Sequence, residues 1–204
     1  MRVVAVNGSA RKGGNTATLI ETAFGPLREA GIECELIELA GKDVRGCIAC
    51  RKCFDAKDKQ CHGRKDFINE LLPRLWEADA IILGSPTYFG DLTSEMKALV
   101  ERAGYVSMAN GGLLVRKPGA GVVAVRRGGG IHVFDSLNHL FLISQMIVPG
   151  SIYWNMGYGG EPGQVAGDAE ALRNMSHLGH AIDWLGKAIQ KSVTPYPLRK
   201  RGEA

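Results

Sequence analysis

Four of the chain's five cysteines fall in GCIACRKCFDAKDKQC, Gly46 to Cys61, spaced C-x2-C-x2-C-x7-C as Cys47, Cys50, Cys53 and Cys61. Thiols at that density can cage a metal, relay electrons, form disulfides or persist as the remnant of an older site. Three thiolates at x2 spacing fold onto one small centre, and a fourth returning after a loop completes the set a cubane cluster needs. Zinc also takes four cysteines, but usually from two separated C-x2-C knuckles, and this run has no such separation. The residues alone leave a [4Fe-4S] cluster, a cluster-free thiol set and zinc open. His62 reads as a solvated neighbour of the fourth cysteine. Cys34, in phase with Ile32 and Leu36, reads as core.

The rest of the chain must position those thiols. With 204 residues and 45% hydrophobic content, one core and one domain over 1–204 are expected, with a cysteine-rich loop at 46–62 and a tail at 192–204. MRVVAVNGSARKG moves straight into a strand-like run, which gives no signal peptide. No apolar run approaches the roughly 18 residues of a membrane span. The expectation is a cytoplasmic protein with reduced thiols, which disfavours structural disulfides. Net charge is +4, and the basic residues are scattered apart from Arg199, Lys200 and Arg201. That tail reads as solvated, so neither a nucleic-acid nor a membrane partner is expected.

Strand-like and helix-like segments alternate. Strands are expected at Val3–Val6, Ile32–Leu39, Ala80–Leu83 (ended by Gly84), Gly121–Val125 and Ser151–Asn155. Helices are expected from Asn15 to about Ala30, Phe67–Ala78 with Pro73 bending or shortening it, Ser94–Tyr105, Val133–Val148 and Asp168–Lys191. Uniformly apolar strands suit a parallel sheet covered on both faces. Five βα repeats give one doubly wound α/β domain, with ligands at the carboxyl ends of its strands.

Three loops fall there. NGSARKGGNTATL places Gly8, Ser9, Gly13, Gly14 and Thr16 ahead of a helix, with Arg11 or Lys12 adding charge, which is how a phosphate is held. It is neither a P-loop nor G-x-G-x-x-G, and an ordinary glycine-rich turn would look similar. GSPTYFGDLTSEMKALVERAG fixes Thr87, Tyr88 and Phe89 between Pro86 and Gly90, two aromatics suited to a flat ring system. VAVRRGGGIH brings three glycines where a backbone can approach a ligand closely.

Together, GSARKGGNT, GSPTYFGDLTSEMKALVERAG, RRGGG and MIVPGSIYWNMGYGGEPG resemble the flavodoxin-like NADPH-dependent FMN reductase superfamily. The compact cysteine run is similar to that of its iron–sulfur flavoprotein branch. The resemblance covers nearly the whole chain and implies a five-stranded parallel sheet, FMN at the strand ends and a homo-oligomer, often a dimer of dimers. It implies that Ser9, Arg11, Asn15 and Thr16 hold the FMN phosphate, and that Pro86, Thr87, Tyr88, Phe89 and Gly90 hold the ring. Arg126, Arg127, Gly128 and Gly129 would close its other side. The branch places a fourth cysteine several residues after C-x2-C-x2-C, and the seven residues here are at the long end of that range. FMN is expected over FAD, since one phosphate cradle and no adenosine site are visible.

The chemistry would then belong to the flavin, fed by NAD(P)H stacking directly on it or by ferredoxin, and delivered to quinones, oxygen species or free flavin. A flavodoxin-like electron carrier and a cluster-free reductase with redox-sensing cysteines are the alternatives. His177 and His180 point away from the apolar stripe of the last helix and read as solvent-facing. Trp184 shares their polar face, which suggests contact with another element or subunit. The Val133–Val148 helix is too apolar for one buried face, so a dimer or tetramer is expected.

Overall fold

A computed structural model describes residues 1–197; the basic tail at Arg199, Lys200 and Arg201 lies outside the described residues. The chain runs β1 (Arg2–Asn7), α1 (Asn15–Glu29), β2 (Glu33–Glu38), α2 (Lys52–Ala56), α3 (Phe67–Glu77), β3 (Ala80–Pro86), α4 (Ser94–Ala109), β4 (Gly119–Val125), α5 (Gly130–Ile143), β5 (Met156–Tyr158) and α6 (Ala169–Lys191). The five strands form one parallel sheet ordered β2-β1-β3-β4-β5.

Strand alternation sorts residues onto two cores. Val4, Val6, Ile81, Leu83, Val123 and Val125 face the layer of α3, α4 and α5. Val3, Ala5, Ala80, Ile82, Ala120, Val122 and Ala124 face the layer of α1 and α6. Every residue from Val3 to Asn7 is buried, so a uniformly apolar run is what a central parallel strand requires. Gly179 lets α6 close onto α1, since a Cβ there would collide with the Ala23 carbonyl. Cys34 sits on edge strand β2, only half-buried, and packs against the α1/α6 core.

Several boundaries differ from the sequence reading. β3 passes through Gly84 to Pro86 because a Cβ at Gly84 would meet Ile20 and Thr16 of α1 at 2.7 and 2.9 Å. That glycine serves helix-on-sheet packing and does not end the strand. α5 begins at Gly130 and stops at Ile143, with Gln145 turned into the left-handed region (φ 55°). Ile147 then bridges to Pro118, residues 148–154 bulge away, and the edge strand forms only at Met156–Tyr158 in place of the expected Ser151–Asn155. Pro73 sits inside α3 without ending it. α4 continues to Ala109, four residues past Tyr105. Among the described residues no helix is long and apolar enough to cross a membrane.

Candidate functional site

Four loops at the carboxyl ends of β1, β3, β4 and β5 are tied into one rim. The first is shaped by its own side chains: Asn7 Oδ1 accepts the Ser9 amide at 2.9 Å, and Ser9 Oγ accepts the Arg11 amide at 3.1 Å. Gly8 must lack a Cβ, which would stand 2.8 Å from Met96 Cβ and 2.9 Å from Thr93 Oγ1. Gly14 is extended and precedes α1 with no side-chain cap. The first amides of α1 are therefore open to an anion, which the helix dipole favours. Ser9, Gly14 and Thr16 are buried, Asn15 is half-buried, and Arg11 and Lys12 stand exposed at the rim.

After β3, the Thr87 amide donates to the Ala124 carbonyl at 3.0 Å, extending the ladder with β4. Tyr88 and Asp91 then exchange two backbone hydrogen bonds, of 2.9 and 3.1 Å, around Phe89 and Gly90. Both central residues have positive φ, 50° and 85°, the signature of a type I′ turn. This turn lifts Phe89 fully into solvent and leaves Tyr88 half-exposed. Pro86 closes the strand before it. Thr87 Oγ1 is buried without a hydrogen-bond partner, a group that calls for a ligand. The Arg126–Gly129 loop is exposed, yet a Cβ at Gly129 would lie 3.1 Å from both Gly90 Cα and Thr87 Cγ2. The loops after β3 and β4 thus pack on each other. Thr93 Oγ1 donates to the Gly8 carbonyl at 2.8 Å and ties the loop after β3 to the first.

Sequence reasoning missed the fourth loop, Gly159–Gly163. Asn15 Nδ2 donates to the carbonyls of Gly159 and Glu161, each at 2.9 Å, and Arg11 Nη1 to that of Gly160 at 3.2 Å. The run GYGGEPG was the available signal, hidden because the last strand was placed five residues too early. Glu38 at the end of β2 was missed as well. Its carboxylate accepts Asn7 Nδ2 at 2.7 Å and the Gly13 amide at 3.0 Å, bracing the first loop. FMN fits this rim on three counts: an uncapped helix start for the phosphate, an orphaned Thr87 hydroxyl, and exposed aromatics for the ring.

Cys47, Cys50, Cys53 and Cys61 border one cavity of about 20 Å³ with His62, Arg64, Arg102 and Tyr105. Backbone strain shapes this loop. Ala49, Arg51, Lys57 and Lys59 all occupy the left-handed region, at about 1 kcal/mol each for non-glycine residues. Beneath it, fully buried Arg102 donates to Asp66 at 2.5 Å, to Asn69 Oδ1 at 2.6 Å and to the Arg45 carbonyl at 3.2 Å. Asn69 in turn holds the Cys61 and Arg64 carbonyls at 3.0 and 3.1 Å. One arginine on α4 therefore clamps both ends of the cysteine loop. Burial, with the neighbouring Cys61, Cys47 and Cys50, pushes the Cys53 thiol up, so it stays protonated unless a metal displaces the proton.

Among the described residues no three His, Cys, Asp or Glu side chains stand in a metal-holding arrangement. The donor chemistry suits a cluster, but a cavity of this size holds about one water. Seating a cluster requires the loop to open. His62 lies exposed and pairs with Asp58 at 2.8 Å, and His177 and His180 are exposed on α6.

A 2-1-3-4-5 parallel sheet with its loops converging where the strand order reverses defines a flavodoxin-like protein, the arrangement in which FMN sits at the β1/β3 switch point. The chain belongs to the NADPH-dependent FMN reductase family, whose model matches residues 1–161. It is 35% identical over 199 residues to an iron-sulfur flavoprotein of Methanocaldococcus jannaschii, covering 94% of this chain and 100% of that protein. An iron-sulfur flavoprotein of Methanosarcina thermophila is 30% identical over 162 residues, 78% of this chain and 81% of its own length. In fold the chain is similar to RosB (TM-score 0.76, 20% identity, 96% of this chain and 82% of RosB). It is likewise similar to an archaeal flavodoxin (TM-score 0.59, 17% identity, 92% and 99%). The protein is a flavin-dependent oxidoreductase.

Proposed function

We propose that this protein moves electrons from NAD(P)H or a ferredoxin through FMN to a small acceptor, with a [4Fe-4S] centre on Cys47, Cys50, Cys53 and Cys61 as a one-electron relay. The observation that carries the relay is that all four thiols border one cavity. The printed names of the relatives support it. Bound FMN would supply hydride and single-electron chemistry. The chain's own residues position it. Ser9, Thr16 and the α1 amides receive the phosphate, with Arg11 and Lys12 balancing its charge. Thr87 offers its unpaired hydroxyl to the ring edge, Tyr88 and Phe89 cover a ring face, and Arg126–Gly129 bound the other side. We place the protein in the cytoplasm, where the thiols stay reduced.

A second copy covers the apolar face left open by α5 and the 148–154 bulge, where Leu142, Ile143, Ile152, Tyr153 and Trp154 are exposed. Trp184 on α6 is also exposed and extends the apolar area available to further copies. A dimer or tetramer is the expected species; light scattering that gave a 22.0 kDa monomer at micromolar concentration would contradict it.

Turnover separates an enzyme from a carrier. NADH, NADPH and reduced ferredoxin are each offered with a quinone, free flavin or oxygen as acceptor. Sustained multiple turnover with a nicotinamide or ferredoxin donor supports the reductase. Stoichiometric reduction without turnover for every pair supports an electron carrier, a reading that the basic charge of +4 does not favour.

A further inference from the structure

A cavity of about 590 Å³ opens between α5 and the 148–154 bulge, with Phe134, Leu142, Ile152, Tyr153 and Trp154 in its walls. Ring centroids lie 6.0 Å apart for Phe134 and Trp154 and 5.9 Å apart for Tyr153 and Trp154, so three aromatics brace one another there. Asn138, also in the wall, gives its side-chain N–H to the Phe134 carbonyl at 3.0 Å, but its Oδ1 is buried with no hydrogen-bond partner. An unpaired buried acceptor costs the desolvation of its group. The cavity therefore suits an occupant that is mostly apolar and brings one donor.

The same chain carries a side chain of that description. Trp184 projects from α6 with 71% of its surface exposed, and its side chain makes no hydrogen bond or ring contact among the described residues. An indole is a flat apolar body with one N–H donor and no acceptor. Trp184 also lies along the same edge of the molecule. Asn174 Nδ2 donates to the Trp154 carbonyl at 3.3 Å, and Ala188 and Ile189 share a smaller cavity with Ile147. α6 thus runs alongside the 147–155 segment, with Trp184 between those two points of contact. Charge matches as well. Arg173 and Lys191 share the exposed face of α6 with Trp184, Asp135 lines the cavity, and none of the three forms an ion pair among the described residues.

We propose that two copies of this chain pair about a two-fold axis, each inserting Trp184 into the other's α5–bulge cavity and giving the indole N–H to Asn138 Oδ1. The inference rests on the self-association described above and names its contact. A two-fold interface is self-complementary, so knob and socket must lie in one patch. The run of α6 beside the 147–155 segment meets that requirement. A tryptophan seated in a desolvated pocket and ringed by lesser contacts is the usual form of an interface hot spot. Exposed Leu142, Ile152 and Tyr153 at the cavity supply that ring. Arg173 and Lys191 bring positive charge toward Asp135, which favours this pairing over others.

The test uses the full chain as purified, with self-association read by sedimentation velocity across a nanomolar-to-micromolar dilution series. Trp184→Ala removes the knob from an exposed position, so it should melt like wild type and self-associate at least about 30-fold more weakly. Leu142→Trp, at an exposed wall position, plugs the socket and should weaken association too. Mixed in equal amounts, these two variants should form a heterodimer tighter than either homodimer. The plugged copy keeps its knob, and the knobless copy keeps an open socket. Asn138→Leu keeps the shape, removes the acceptor and should weaken association roughly 2- to 10-fold. Self-association of Trp184→Ala at wild-type strength would overturn the proposal while leaving an oligomer formed by another contact. A mixture no tighter than its parents would overturn it too, by showing that Trp184 is buried somewhere other than the cavity. If Leu142→Trp does not fold, Asn138→Leu decides the socket, and association at wild-type strength overturns it. A wild type that stays monomeric overturns both this proposal and the self-association reading, and leaves the cavity to a small ligand.

Discussion

Phe89 stores strain for the sake of a surface. It holds φ at 50° in the first central position of the Tyr88–Asp91 turn, where a type I′ geometry favours Asn or Gly. Its ring is fully exposed, so no burial offsets that conformation in the free protein. A bulky L-residue in the left-handed region costs about 1–2 kcal/mol, and asparagine tolerates it far better. Phe89→Asn should therefore stabilise the flavin-free protein by about 1 kcal/mol, a rise in melting temperature of about 2–4 °C for a chain of this length. The same change removes an aromatic face worth about 1–3 kcal/mol in stacking against a flat ring, so FMN affinity should fall roughly 5- to 150-fold. Thermal melts by circular dichroism and flavin-fluorescence titrations read the two effects separately. An unchanged or lower melting temperature would refute the strain argument. Unchanged FMN affinity would show that Phe89 does not hold the ring.

Arg102→Ala leaves the Asp66 carboxylate buried without its cation and should cost about 3–5 kcal/mol in urea unfolding; a loss below about 1 kcal/mol would contradict the clamp. Asp91 gives a pH signature: burial alone would raise its pKa, yet the Leu92 amide, the Ser136 hydroxyl and His132 together hold it below the ordinary value. A depressed folded value means stability present above the unfolded value of about 3.9, and lost as pH falls through the folded one. Asp91→Asn should thus melt below wild type at neutrality and converge with it in acid, whereas a gap constant across the carboxylate range would refute this. Cys61→Ala should lose a stable four-iron centre and keep FMN, because the phosphate and ring loops lie elsewhere, while Cys34→Ala should keep both. Iron and flavin analysis of the two variants checks this, and a Cys61 variant with wild-type iron would remove that residue from the ligand set.

Much of the fold was legible because central parallel strands are buried on both faces, so VVAV, AIIL and GVVAV announce themselves without alternation. The edge strand was not. Met156–Tyr158 is three residues long with Tyr158 exposed, while the apolar SIYWN before it is a surface bulge. Gly84 misled because its role is a close approach by Ile20 and Thr16, which no local pattern encodes. At the site, the glycine and aromatic loops could be read from their composition. The bonds from Asn15 to Gly159 and Glu161, 144 and 146 residues away, could not. Nothing in the run SEMKALVERAG sets Arg102 apart, and only the packing of α4 beneath the cysteine loop reveals it as fully buried.

The account stands most directly on what the anaerobically purified and reconstituted wild-type protein contains. Flavin released by heat, with iron, zinc and acid-labile sulfide measured per chain, should give one FMN beside about four iron and four sulfide, with broad visible absorption beneath the flavin bands. FMN with zinc, or FMN with no metal and no sulfide, would contradict the iron–sulfur relay and leave a flavin reductase with four unligated or zinc-bound thiols.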